Sequence, residues 1–297
     1  MIRATIAAVL LSAALTAAPA HAELQPTYDF IDAILRGQAR PASAPPGAND
    51  WSCRPRAAHP RPVVLVHGTG ANMALSWRAL SPELKNRGYC VFALNYGGNA
   101  LGPVERSARE LAAFVDRVLA ATGAERVDVV GHSQGGMMPR QYIRFEGGGA
   151  KVGTLVGLAP SNHGSGGEDE ADTPPKLPAW ARSWLRRLTG GLCPACADQS
   201  AGSPFLTRLN EGSETVPGVS YVVIQTRYDQ IVTPWTSALL TGPGATNIVL
   251  QDGCAQDRVD HAAIAYDRRA VGFTLHALDP AEPTPVPCTR ARPWIGG

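Results

Sequence analysis

The chain has 297 residues, of which 44% are hydrophobic and 18% are charged, and its 31 glycines and 25 prolines interrupt it too often for a coiled coil or a long helical bundle. The apolar fraction is that of a folded globular protein and excludes a largely disordered chain. The formal net charge of +2, without a concentrated cluster of Lys and Arg, argues against a nucleic-acid-binding protein.

The first 22 residues have the pattern of a secretory signal peptide. Arg3 supplies a basic start, Ile6 to Ala18 is almost wholly apolar, and Ala20-His21-Ala22 is a small-x-small cleavage site. A membrane anchor is the alternative, but the apolar run is shorter than the ~20 residues that span a bilayer. We therefore expect cleavage after Ala22 and an extracellular product, residues 23–297, that contains no integral membrane segment.

If the protein is exported, its six cysteines are expected to form disulfide bonds, because an even number of cysteines in an oxidising compartment implies such bonds. Six cysteines allow about fifteen pairings, and the sequence does not choose among them. The simplest is sequential pairing, which gives Cys53–Cys90, Cys193–Cys196 and Cys254–Cys288. The Cys193 to Cys196 segment also matches a redox motif or half of a zinc site. The thioredoxin-like context of a redox motif is missing, and a four-cysteine zinc site would require this pair to meet two distant cysteines, so no metal is expected.

From residue 62 onward, short apolar runs alternate with helical patterns. Predicted strands cover residues 62–66, 89–94, 127–130, 154–158, 220–225 and 247–250. Helical patterns cover residues 28–35, 76–87, 104–122 and the segment from the third strand toward Glu146. Wholly apolar strands are typical of a parallel sheet that is buried on both faces. The alternation therefore predicts a single domain with a doubly wound, mostly parallel α/β sheet.

Two segments fall outside this alternation. Residues 162–204 form a long insertion, and residues 279–297 form a Pro-rich tail that the Cys254–Cys288 bond would pin. Within the insertion, an apolar helical face lies opposite a basic one; the two faces comprise Trp180, Trp184, Leu185 and Leu188, and Arg182, Arg186 and Arg187. Such a helix either packs on the surface of the domain or forms a helical cap or lid over a site.

The most specific motif is Gly131-His132-Ser133-Gln134-Gly135. It matches G-x-S-x-G and stands between a predicted strand and a predicted helix, which is the context of a nucleophile elbow with Ser133 as nucleophile. Side chains at Gly131 or Gly135 would collide with the neighbouring strand or helix. Pro139 falls in the second turn of the following helix and should remove one backbone hydrogen bond.

A serine nucleophile needs an imidazole base that is held by a carboxylate. After such an elbow the acid and then the histidine follow later strands, and Asp229 and His261 stand at those places. Competing candidates for the acid are Asp169 and Asp172 in the insertion. The other carboxylates near His261 are interpreted as surface groups: Asp252, Asp257 and Asp260.

An oxyanion needs backbone N–H donors. One is expected from Gln134, which follows the nucleophile, and the other from the loop His67-Gly68-Thr69-Gly70 after the first strand. Thr69 could add its hydroxyl group. The alternative interpretation of this loop is an ordinary glycine turn.

These motifs resemble the secreted bacterial lipases and esterases of the α/β-hydrolase fold, often called class 2 lipases, and more distantly Candida antarctica lipase B. The resemblance rests on His67 to Gly70, on the elbow, on Tyr228 to Pro234 and on Asp260-His261. Lipase B has Thr-Trp before its nucleophile, where this chain has Gly131-His132, so the bacterial group is the nearer one.

The resemblance implies a catalytic triad of Ser133, Asp229 and His261, with Thr69 and Gln134 forming the oxyanion hole. It implies hydrolysis of a small-molecule or lipid ester through an acyl-enzyme, without a cofactor, and contact with a lipid–water interface. The same triad could instead transfer the acyl group to an alcohol or cleave a polyester. A binding protein with a vestigial site is the alternative outside enzymes.

Overall fold

The computed structural model describes residues 22–166, 191–282 and 284–297. Most of the predicted signal peptide lies outside the described residues. So do the predicted insertion helix around Trp184 and the alternative acids Asp169 and Asp172.

Six parallel strands form one sheet. They are β1 (Val63–Val66), β2 (Val91–Leu94), β3 (Val127–His132), β4 (Val152–Leu158), β5 (Ser220–Gln225) and β6 (Ala245–Val249). Their order is β2-β1-β3-β4-β5-β6, and every neighbouring pair is parallel. β1, β2 and β4 are buried along their whole length, as in a parallel sheet that is covered on both faces. This confirms the predicted doubly wound sheet.

Helices cover both faces of the sheet. They are α1 (Phe30–Ala39), α2 (Met73–Ser76), α3 (Leu80–Asn86), α4 (Gly97–Ala100), α5 (Val104–Thr122), α6 (Gln134–Phe145), α7 (Pro194–Asp198), α8 (Pro204–Asn210) and α9 (Arg268–Leu278). The described part of the chain also contains 3₁₀ turns at Gly148–Ala150, Trp235–Ala238 and Ile264–Tyr266. The apolar faces of α5, α6 and α8 pack on one side of the sheet, and those of α1, α3 and α9 on the other.

Alternate residues of the strands supply two separate cores. Val64 and Val66 of β1 belong to the core beneath α5 and α6, whereas Val63 and Leu65 belong to the core beneath α3 and α9. This alternation follows from the two-residue period of a strand. The central strands are thereby fixed from both faces, so the loops at their carboxyl ends start from rigid positions.

The predicted helix over residues 76–87 is divided in the structure. α2 ends at Ser76 and α3 begins at Leu80. Pro82 explains the division, because in a continuous helix its ring would crowd the carbonyl group of Arg78 and no N–H would be available to bond it. Starting at Leu80 places Pro82 in the first turn, where backbone N–H groups have no partner within the helix.

All six cysteines form disulfide bonds, and the pairing is the sequential one. The bonds join Cys53 to Cys90, Cys193 to Cys196 and Cys254 to Cys288. The last of these ties the segment after β6 to the C-terminal tail. Across the described ranges, no helix is both long enough and apolar enough to cross a membrane.

Candidate active site

Ser133 occupies the tight turn between β3 and α6. Its backbone angles are φ 56° and ψ −124°, which a residue with a side chain rarely adopts. The Ser133 carbonyl group accepts hydrogen bonds from the amides of Gly136 at 2.9 Å and Met137 at 3.3 Å. The strand, the strained turn and the helix together have the geometry of a nucleophile elbow.

The two glycines of the motif are sterically required. A Cβ atom at Gly131 would lie 1.7 Å from the carbonyl oxygen of Gly135. A Cβ atom at Gly135 would lie 2.1 Å from the carbonyl oxygen of Val66. Both neighbours are backbone atoms of packed elements, so the turn closes only because neither residue has a side chain.

Asp229 presents a fixed carboxylate to His261. Oδ2 of Asp229 lies 2.8 Å from Nδ1 of His261, and the two side chains are 0% and 6% exposed, respectively. Oδ1 accepts hydrogen bonds from the amides of Ile231 at 2.9 Å and Val232 at 2.7 Å, while Nε2 of Gln225 donates to Oδ2 at 3.2 Å. Because the carboxylate is held by backbone donors, it fixes the orientation of the imidazole ring.

The loops that carry Asp229 and His261 are joined directly. Oγ1 of Thr226 donates to the carbonyl oxygen of Val259 at 2.6 Å. The amide of His261 donates to Oε1 of Gln230 at 3.4 Å, and Nε2 of Gln230 donates to Asp260 at 3.1 Å. These bonds fix the spacing between the end of β5 and the segment after β6.

Asp257 and Asp260 are not surface groups, contrary to the sequence-based interpretation. Both are buried, and Oδ1 of Asp260 accepts a hydrogen bond from the amide of Ala263 at 3.0 Å. Oδ2 of Asp260 accepts another from the amide of Trp294 at 3.2 Å. Asp260 therefore anchors the histidine loop to the C-terminal tail. Only Asp252 of the three is exposed.

His132, within the elbow motif, places its ring beside the imidazole of His261, with the ring centroids 5.0 Å apart. Nε2 of His132 is 2.8 Å from the carbonyl oxygen of His261, and since a carbonyl only accepts, this nitrogen carries the hydrogen. Burial, together with the nearby His261, lowers the pKa of His132 to about 3, so this ring is neutral at ordinary pH. His132 thereby supports the main chain of His261 without adding a charge beside it.

Thr69 and Gln134 occupy the positions expected of an oxyanion hole. Thr69 lies in the loop after β1, where the amide of Gly70 donates to the carbonyl oxygen of Asn99 at 2.8 Å. Gln134 is the first residue of α6, whose N-terminal amides have no partner within the helix. Within residues 22–166, 191–282 and 284–297, neither the Thr69 amide nor the Gln134 amide donates to a protein acceptor. Both amide hydrogens are therefore without a protein acceptor in these ranges, and Thr69 lines the adjoining cavity.

A cavity of about 570 Å³ lies beside the elbow. Ser133, His261 and Thr69 line it, and most of its wall is apolar. Its volume is within the range of roughly 300–1,000 Å³ that is typical of small-molecule sites. Phe30 and Ile34 of α1 form part of the wall, a role that the sequence did not predict for this helix.

One group of side chains in the described part of the chain could hold a metal ion. The ligand atoms of His59, Asp279 and Glu282 lie within 4.8 Å of one another. None of the three residues lines the cavity. This group is therefore separate from the candidate active site.

The segment that carries Ser133, Asp229 and His261 matches a known family, Lipase (class 2), over residues 60–270. This range extends from just before β1 into α9 and is more than half of the chain. The chain belongs to the class 2 lipase family. Membership confirms the resemblance inferred from the motifs.

Curated relatives of this class 2 lipase family member include triacylglycerol lipases of Pseudarthrobacter phenanthrenivorans and Burkholderia plantarii. Each is 41% identical to it over 86 residues. That segment is 27% of this chain and 27% and 24% of the respective relatives, so the match spans about a quarter of their lengths.

Solved structures support the fold. Lipase B of Aspergillus fumigatus gives a TM-score of 0.64 at 20% identity, covering 84% of this chain and 58% of that one. Mature lipase BlEst2 of Bacillus licheniformis gives a TM-score of 0.52 at 17% identity, and the match covers 75% of this chain and 92% of that one. These similarities confirm the α/β-hydrolase fold.

Proposed function

We propose that the chain is a secreted serine hydrolase that cleaves carboxylic esters, with Ser133, His261 and Asp229 as its triad. The observation that carries the proposal is the buried contact of 2.8 Å between Asp229 and His261, beside a cavity that His261 shares with the strained Ser133. A strained serine and an oriented imidazole that line one cavity, with the unpartnered Thr69 amide beside them, are parts that acyl transfer requires. Family membership supports the same activity.

In the proposed mechanism, His261 takes the proton of the Ser133 hydroxyl as Oγ attacks the ester carbonyl carbon. The carboxylate of Asp229 holds the Nδ1–H tautomer of His261 and stabilises the imidazolium that forms. The amides of Thr69 and Gln134 bind the oxyanion of the tetrahedral intermediate. His261 then protonates the leaving alkoxide, and water repeats the sequence on the acyl-enzyme to release the acid.

The proposed substrate is a small-molecule or lipid ester. The mostly apolar cavity wall is suited to the hydrocarbon part of such an ester. Ile31 and Leu35 of α1 are exposed on the helix that also lines the cavity, and Ile231 of the cavity wall is half exposed. These apolar side chains support contact with a lipid–water interface.

Export is part of the proposal. Three disulfide bonds are typical of proteins that fold in an oxidising compartment. Residues 23–297 would then act as one domain after the signal peptide is removed. The mass of the protein recovered from the medium of an expressing culture tests this, because cleavage after Ala22 leaves Glu23 as the first residue.

The decisive experiment replaces Ser133 by Ala and measures hydrolysis of p-nitrophenyl acyl esters. We expect kcat to fall by at least about 10³-fold while the thermal unfolding curve still shows a folded protein. Ser43→Ala, which removes an exposed hydroxyl that does not line the cavity, serves as the control. A fluorophosphonate should label wild type on Ser133 and leave Ser133→Ala unlabelled. Full turnover by Ser133→Ala would remove the nucleophile assignment.

A further inference from the structure

Gln199 brings the end of the predicted insertion to the candidate oxyanion hole. It follows α7 directly, in the turn that begins at the Cys193–Cys196 disulfide, and it lines the same cavity as Ser133. Its side-chain Nε2 lies 3.0 Å from Oγ1 of Thr69, a residue 130 positions earlier in the chain. No sequence motif singled out this residue.

The hydrogen bonds of Gln199 fix the direction of its side-chain amide. Nε2 lies 3.0 Å from the carbonyl oxygen of Ala195, and a carbonyl oxygen only accepts, so the nitrogen must be on that side. Oγ of Ser161 then donates to Oε1 at 2.8 Å. The second hydrogen of the amide is directed at Thr69, so Gln199 donates and Oγ1 of Thr69 accepts.

This direction determines what the Thr69 hydroxyl can do. A hydroxyl group has one hydrogen to donate and two lone pairs that accept. Since Oγ1 accepts from Gln199, the Thr69 hydrogen is left for another acceptor. Within the described residues this hydroxyl donates no hydrogen bond to a protein acceptor, and Thr69 lines the cavity. The hydrogen is therefore available to a substrate oxygen.

The backbone around Gln199 is also held in place. Its amide donates to the carbonyl oxygen of Ala195 at 3.0 Å, and its own carbonyl oxygen accepts from the amide of Ser165 at 3.1 Å. The amide of Ala195 donates to the carbonyl oxygen of Leu101 at 3.1 Å. The donor to Thr69 is thus mounted on a turn that is hydrogen-bonded to two other segments of the chain, at Ser165 and Leu101.

We propose that Gln199 is a positioning residue that turns the Thr69 hydroxyl toward the oxyanion, as a third donor beside the two backbone amides. The proposal rests on the ester-hydrolase function proposed above. An oxyanion donor acts only when it is preorganised, and accepting a hydrogen bond also makes the hydroxyl a stronger donor. The benefit appears in the transition state, so it should affect kcat and leave KM nearly unchanged.

The experiment compares Gln199→Ala, Gln199→Glu, Thr69→Val and the double variant Thr69→Val/Gln199→Ala. Thr69→Val keeps the backbone amide and removes the hydroxyl, so kcat should fall by roughly 10²-fold. Gln199→Glu should lower kcat nearly as much as Thr69→Val, although Glu and Gln are similar in size. A carboxylate at this position accepts the Thr69 hydrogen and draws it away from the cavity. Gln199→Ala should lower kcat by about 10-fold or more, with KM within about twofold of wild type.

The kcat of the double variant distinguishes a positioning role of Gln199 from a structural one. If Gln199 acts only through the Thr69 hydroxyl, the double variant should have the kcat of Thr69→Val alone. A structural role would lower kcat further in the double variant and would overturn the proposal. Gln256→Glu is the control, because Gln256 bonds the tail near Cys288 and does not line the cavity.

The outcomes distinguish this inference from the proposed function. Unchanged kcat in Gln199→Ala and Gln199→Glu, with Ser133→Ala inactive, would overturn the role of Gln199 and leave the serine mechanism intact. An active Ser133→Ala would overturn the serine mechanism itself. If Gln199→Ala does not fold, Gln199→Glu, whose side chain is nearly the same size as that of wild type, alone tests the role of Gln199.

Discussion

The Nδ1 atom of His261 lies 2.8 Å from Oδ2 of Asp229, although the two residues are 32 positions apart in the chain. The acid follows β5 and the histidine follows β6, which are neighbouring parallel strands, so both loops leave the same edge of the sheet. The elbow leaves this edge as well, after β3. In parallel α/β sheets ligands bind at the carboxyl ends of the strands, and the topology places Ser133, Asp229 and His261 at this edge of the sheet.

The contact between Asp229 and His261 predicts a large loss of activity in Asp229→Asn. The asparagine can place an N–H₂ group where the carboxylate accepted from Nδ1, which favours the wrong tautomer of His261 and removes the charge that stabilises the imidazolium. We expect kcat on a soluble p-nitrophenyl ester to fall by roughly 10³–10⁴-fold. Asp252→Asn, an exposed carboxylate paired with Arg227, should keep kcat within about twofold of wild type. An Asp229→Asn enzyme with a tenth of wild-type kcat would contradict this role.

The elbow glycines predict a large loss of stability in Gly131→Ala. The added Cβ would lie 1.7 Å from a backbone oxygen of α6, so the strand and helix must separate at the centre of the sheet. We expect the free energy of unfolding in urea to fall by about 3 kcal/mol or more. Gly149→Ala is the matched control, because the nearest atoms to its Cβ would be at an ordinary 3.4 Å and its change should stay within about 0.5 kcal/mol. Equal losses in the two variants would show that the elbow does not depend on the absence of a side chain.

The elbow and α5 could be predicted because their signals are local. Gly131 and Gly135 are required by contacts within one turn and its adjoining strand, and α5 runs from Val104 to Thr122 as its apolar period indicates. The helix ends where Gly123 adopts φ 74°, a conformation that glycine takes readily. A sequence shows such features directly, since the interacting residues are near one another in the chain.

The walls of the cavity and the burial of Asp260 could not be predicted, because they depend on distant segments. Asp260 is buried because the tail returns to it and the amide of Trp294 donates to its carboxylate. Gln199 meets Thr69 only through the fold. The break before α3, in contrast, has a local cause in the sequence. Pro82 explains it, but the prediction of one helix over residues 76–87 used only the helical periodicity.

Two of the disulfide bonds are predicted to affect different properties, one mainly the stability of the protein and the other mainly its turnover. Cys254 and Cys288 are 34 positions apart, whereas Cys193 and Cys196 are three apart, so loop-closure entropy predicts losses of about 4 and about 2 kcal/mol for the respective double serine variants. Turnover should show the reverse order, because Cys196 lines the cavity and its turn carries Gln199. Urea unfolding and kcat on one soluble ester measure both. A larger kcat loss in the Cys254→Ser/Cys288→Ser variant would contradict the prediction.

Asp267 predicts a pH-dependent stability that is independent of the candidate active site. Burial, reinforced by the charge of Asp257, raises the pKa of Asp267 to about 7. Its Oδ1 accepts a hydrogen bond from the amide of Ala270 at 2.7 Å at the start of α9, and Oδ2 is buried without a hydrogen-bond partner among the described residues. The folded protein therefore holds this proton up to about pH 7, whereas the unfolded chain loses it near pH 4.

The stability that this proton provides is fully present below about pH 4 and is lost as the pH rises through about 7. Asp267→Asn keeps a side-chain oxygen for the helix cap and removes the titration. Relative to wild type, its free energy of unfolding should rise by on the order of 2–4 kcal/mol between pH 4 and pH 8. Urea unfolding at several pH values measures this, with the exposed Asp116→Asn as control. A difference between Asp267→Asn and wild type that stays constant from pH 4 to pH 8 would show that Asp267 is already ionised in the folded protein.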